Sequence, residues 1–189
     1  MNNMEWIDAT EEKMKTEKSK DYFNFNEGDN RVVLLTHCAP FAQKWTGSTY
    51  VPAEMNDEGI SVKGVCWVLQ DGVVKLAKLP YTIVKQIREL MKDEDYAFEE
   101  FPMNRGLNLK AVKAGTKEVE YTVIPSPKEY IASQSVLDEL AKKPSPEEMI
   151  EKMKAKYEKP PQTHEEEVAR KESYDAAGLI NEDVEGIPF

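Results

Sequence analysis

The stretch "ISVKGVCWVLQDGVVKLAKLPYTIVKQIRELMKD", residues 60–93, decides the fold. Two runs rich in β-branched and apolar residues, 60–69 and 73–79, flank Gln70-Asp71-Gly72. Asp-Gly tolerates the positive φ angles of a tight hairpin turn, so the two runs read as paired antiparallel strands. Pro80 follows at once, and proline suits a helix start, where its missing N–H would lack a partner anyway. Beyond it Ile83, Ile87 and Leu90 recur at helical spacing and define one apolar face. Hairpin and helix are therefore contiguous.

Working outward, "NRVVLLT" (30–36) is a β-branched run behind the turn signal "EGD". Residues 37–59 form a long segment with Trp45, Gly47 and Tyr50, in which "KWTGSTYV" can hold a short strand. After the helix, "LNLKAVK" (107–113), "AGT" and "KEVEYTVIP" (117–125) read as a second hairpin. The order is strand, long loop, strand, strand, helix, strand, strand. That order predicts a mainly β chain: an OB-fold, a five-stranded Greek-key barrel with one helix between strands 3 and 4. Such barrels bind oligonucleotides or oligosaccharides on strands 2 and 3, framed by the loops after strands 1 and 4.

Past residue 125 the pattern turns helical. "SVLDELAKK" and "SPEEMIEKMKAKY" are helix-forming, and Ser145 with Glu148 makes a capping box around Pro146. Met149, Ile150, Met153 and Tyr157 draw a narrow apolar stripe that can lie on the barrel. The expected organisation is a flexible N-terminal arm (1–19), a barrel domain (20–130), a helical extension (131–158) and a disordered acidic tail (159–189). The 189 residues carry a formal net charge of -10. Residues 131–189 hold eight basic and 14 acidic side chains, a net of -6, so most of the acidity lies outside the barrel. A nearly balanced barrel can still gather its lysines on one face.

Several classes of chemistry are missing from the sequence. There is no P-loop, GxGxxG or GxSxG motif, and the histidines are His37 and His164. His37, Cys38 and Cys66 come without a CxxC pair, so no metal and no cofactor are expected. Two cysteines, no run of about 18 apolar residues and no basic–apolar leader fit a soluble protein of the reducing cytoplasm. What remains is an interleaving of cations and rings. Single-strand binders need cations along the phosphate track and flat rings under the bases. The candidates are Arg31, Lys44, Trp45, Tyr50, Lys63, Trp67, Lys75, Arg105, Lys110 and Lys113. Trp67 fits either a core or a stacking platform. Alternation on the third strand puts Lys75 on one face and Lys78 on the other.

Read together, "NEGDNRVVLL", "VCWVLQDGVVKLAKLPYTIVKQIREL" and "FPMNRGLNLKAVKAGTKEVEYTVIPSP" resemble a phage-type single-stranded-DNA-binding protein over about half of the chain. The final "DVEGIPF" is similar to the tip of bacterial single-stranded-DNA-binding proteins, where acidic residues run into Ile-Pro-Phe. The resemblance implies a non-catalytic protein that coats single-stranded DNA during replication, recombination and repair. It also implies that Asp183, Glu185, Ile187, Pro188 and Phe189 recruit partner enzymes of those processes. Two features depart from the family: the long loop lacks a Cys/His zinc cluster, and the N-terminal arm is acidic rather than basic. Self-association is compatible with this reading. The rival is an OB-fold adaptor that binds a protein or an oligosaccharide.

Overall fold

A computed structural model describes residues 21–93, 96, 100–116 and 118–158. The expected arm (1–19), tail (159–189) and tip lie outside the described residues. The described residues are mainly β, with seven antiparallel strands and three helices. The strands are β1 (Gly28–Leu34), β2 (Ala39–Trp45), β3 (Tyr50–Pro52), β4 (Ile60–Gln70), β5 (Val73–Pro80), β6 (Arg105–Val112) and β7 (Glu120–Glu129). Helix α1 (Tyr81–Met91) follows β5, and α2 (Gln134–Leu140) and α3 (Pro146–Glu158) follow β7.

The deciding hairpin forms as read. Asp71 and Gly72 adopt φ of 53° and 78°, which joins β4 to β5 with a two-residue turn of the strand-twisting kind. β4 is long enough to pair with three strands: β2 through Ile60–Val65, β5 through Lys63–Gln70, and β1 through Val68 and Leu69. β1 continues the sheet to β6, and β6 to β7. At the α3 start the capping box is present, with Ser145 N–H donating to Glu148 Oε2 and Glu148 N–H to Ser145 Oγ, both at 3.1 Å.

The mainly β class is as expected, and the observed sheet differs from a five-stranded Greek-key barrel in two respects. First, the segment 37–59, expected to hold at most one short strand, contains two, β2 and β3, joined as a hairpin, with Ala39, Phe41 and Ala42 buried. Its ladder to β4 supplies the backbone hydrogen bonds that a buried irregular segment would lack. Second, the sheet is open. Its order is β3-β2-β4-β1-β6-β7, with β5 attached to β4 and not to β7.

The seam between β5 and β7 is bridged by other groups. The outer edge of β5 is taken by residues 21–23: Phe23 N–H donates to Leu76 O and Leu76 N–H to Asp21 O, both at 2.9 Å. Phe23 packs edge-on against Phe25, which in turn meets Tyr121 of β7 with ring centroids 5.0 Å apart. Helix α1 contributes the side-chain amide of Gln86. Its Nε2 donates to Tyr121 O and its Oε1 accepts from Val123 N–H, each at 2.9 Å. One amide thus gives β7 the donor–acceptor pair that a neighbouring strand would offer. The core behind it joins Leu34, Val68, Leu79, Ile83, Met103 and Leu109, all fully buried.

Candidate nucleic-acid interface

Side chains directly opposite each other in an antiparallel ladder lie on the same face of the sheet. The ladders pair Trp45 with Tyr50, Phe41 with Lys63, and Val65 with Lys78. Alternation along β2 and β4 adds Gln43 and Trp67 to that same face. The result is a row of rings and ammonium groups across β3, β2, β4 and β5. Trp45 and Tyr50 stack at a tilt with centroids 5.0 Å apart, and Trp45 is 49% exposed. Lys63 Nζ lies 5.9 Å from the Tyr50 centroid, and Lys78 Nζ lies 5.7 Å from that of Phe41. Both separations are within cation–π range.

Four of the ten residues expected to touch nucleic acid, Trp45, Tyr50, Lys63 and Trp67, share this face. The other six do not. Lys44 is exposed on the reverse side of β2, and the ladder sets Lys75 beside Val68, on the opposite face from Lys78. Lys75 Nζ donates to Gln70 Oε1 at 2.9 Å. Arg31 and Lys110 are exposed on adjacent rows of the β1–β6 ladder, where they oppose Asn108 and Asp29. Lys113 sits in the β6–β7 turn with an ion pair to Glu118 at 2.7 Å, and Arg105 Nη1 donates to Pro127 O. Phe41, Gln43 and Lys78 belong to the row and were missed. For Phe41 and Gln43 the signal was the alternation Ala39-Phe41-Gln43-Trp45, visible once residues 39–45 are read as a strand; Lys78 is placed there by the pairing of β5 with β4.

Much of the row is covered. Helix α3 packs on β2, β3 and β4, and α2 packs on β5. Trp67 is 5% exposed; its Nε1–H donates to Pro144 O at 2.8 Å, and Lys143 Nζ stands 5.4 Å from its ring centroid. Trp67 is therefore held as core in this arrangement. Lys63 is 3% exposed and Gln43 5%. Gln43 Nε2 is buried and has no hydrogen-bond partner among the described residues. On the other side of β4, Gly64 lies against Val84 of α1, and a Cβ there would come within 2.6 Å of Val84 Cγ2. Cys66 is buried on that side. Its hydrogen bond to Cys38, together with burial, pushes its thiol well above the usual range. His37, a member of the weighed metal set, instead meets Glu147 Oε1 at 2.6 Å.

Burial first, then the ammonium groups of Lys63 and Lys156, pull the Lys78 pKa from 10.5 down to about 8. The sign of the resulting pH dependence follows from which state binds more protons. Between pH 8 and 10.5 the unfolded chain keeps the Lys78 proton while the folded chain has released it, so stability rises across that window. Lys78→Met should remove this rise and increase the melting temperature at neutral pH. Thermal melts from pH 7 to 10.5 check it; parallel curves for the two proteins would refute the assignment.

No protein-family model, curated protein or solved structure matches the chain. Function is therefore argued from the geometry of the row. Among the described residues no helix is long and apolar enough to cross a membrane.

Proposed function

We propose that this is a non-catalytic single-stranded-DNA-binding protein of the OB type, with a nucleic-acid track that starts at the exposed Trp45 and its neighbour Tyr50 in this row. The observation that carries the reading is the interleaving of rings and ammonium groups on one sheet face. Bases stack on rings without sequence preference, and lysines answer the phosphates between them. The element order and the strand β1 shared between β4 and β6 support an OB-type assignment, with the β5–β7 seam held by α1 and residues 21–25. On this reading the protein works in the cytoplasm, coating strands exposed in replication, recombination and repair. The acidic peptide "DVEGIPF" then serves as a docking segment for partner enzymes.

Anisotropy with labelled oligo-dT tests the reading. Trp45→Ala should weaken binding by about 1–3 kcal/mol, the contribution of one stacking ring. Log K should fall with log salt at about -0.7 per phosphate neutralised, so two or three lysines on the track give a slope near about -2. An affinity that ignores salt but still needs Trp45 would favour the sugar-binding adaptor. No binding to oligo-dT at low salt would overturn the proposal.

A further inference from the structure

We propose that Cys38 and Cys66 are a redox pair, which a peroxide joins in a disulfide that staples the start of β2 to β4. The inference is independent of the nucleic-acid track.

The placement comes from the β2–β4 ladder. It pairs Pro40 with Gly64 and Ala39 with Val65, so one further step sets Cys38 opposite Cys66. Cα atoms at opposed antiparallel positions stand about 4.5–5.5 Å apart. A disulfide bridges Cα separations of about 4.4–6.8 Å, so the positions suit one. The side chains meet as well, through a hydrogen bond between the two thiols. Gly64 makes the room for this. A Cβ there would come within 3.0 Å of Cys38 Cβ and 3.5 Å of Cys38 Sγ, so Cys38 lies where a side chain of residue 64 would be. On the helix side Val84 closes the space, 2.6 Å from the same position. The sheet itself thus holds two thiols in contact.

Their surroundings give the two sulfurs different parts. Cys38 is half-buried and stands just ahead of β2, so a small solute can reach it. Cys66 is fully buried, and its hydrogen bond to Cys38 together with burial keeps its thiol protonated. A buried thiol that does not ionise is inert toward oxidants in solution. Cys38 therefore reacts first. Its thiolate attacks one peroxide oxygen, the O–O bond breaks, and the leaving hydroxide takes a proton to become water. The product is a sulfenic acid at Cys38. The Cys66 sulfur then attacks the Cys38 sulfur, the S–O bond breaks, and the departing hydroxide takes the Cys66 proton as a second water. Two thiols are oxidised to one disulfide, and one peroxide is reduced to two waters. The link closes the segment 38–66, which contains the β2–β3 hairpin with Trp45 and Tyr50. It fixes that hairpin to β4 and removes freedom from the unfolded chain.

Hydrogen peroxide added to the full, reduced chain tests this. The thiol count should fall from two to none, and dithiothreitol should restore both. Peptide mapping should find residue 38 linked to residue 66 within one chain. The oxidised chain should unfold at a higher urea concentration than the reduced one. Cys66→Ala should stop Cys38 at the sulfenic acid, which dimedone traps, and Cys38→Ser should leave Cys66 unreacted in the folded protein. Survival of the Cys66 thiol while Cys38 gains oxygen, a link between two chains, or both thiols unchanged would overturn the pair. Mapping is done on the unmutated chain, so its result decides the matter even where a variant fails to fold.

Discussion

Trp67→Ala is expected to lower the unfolding free energy by about 3–5 kcal/mol, the range for removing a buried large aromatic. The ring is 5% exposed and sits between the strands and the α2–α3 connection, where its indole N–H donates to Pro144 O. Truncation leaves a cavity and a carbonyl without its donor. Trp67→Phe separates the two effects. It keeps most of the packing but not the hydrogen bond, so its loss should be nearer about 1 kcal/mol. Urea unfolding curves measure both. If Trp67→Ala unfolded at the wild-type midpoint, the ring would not be core and the helices would not be seated on it.

Gln86→Ala should be nearly as severe, at about 2–4 kcal/mol, because two backbone groups lose their partners at once. Tyr121 O and Val123 N–H are both bonded to that one amide. Among the described residues no strand stands beside β7 at the seam to replace it. Gln86→Glu should fall between: the carboxylate still accepts from Val123 N–H but offers nothing to Tyr121 O. Hydrogen exchange localises the effect, since β7 amides should lose protection before those of the β4–β5 hairpin. Uniform loss across the sheet, or none, would show that the amide does not hold the seam.

Local chemistry determined a good part of this protein from sequence alone. Asp71-Gly72 sets a turn because those residues accept positive φ, and the flanking alternation then fixes a hairpin. Ser145 and Glu148 set a helix start because each can bond the other's backbone N–H. Ile83 and Ile87 mark the buried face of α1 for the same local reason, helical spacing. Tertiary structure decided what spacing cannot express. Alternation says that Lys75 and Lys78 point apart, but only the pairing of β5 with β4 says which one joins Lys63 and Trp67. Residues 39–45 become a strand because β4 offers them a ladder, an interaction between segments about 20 residues apart. The stripe of Met149, Ile150 and Met153 announces a docked helix, yet not that it docks over the rings and lysines. Nor could the sequence show that a glutamine amide and two phenylalanines would stand in for a missing strand pair at the seam. Register and docking are set by which distant surfaces exclude water together, and that is a property of the assembled chain rather than of any stretch of it.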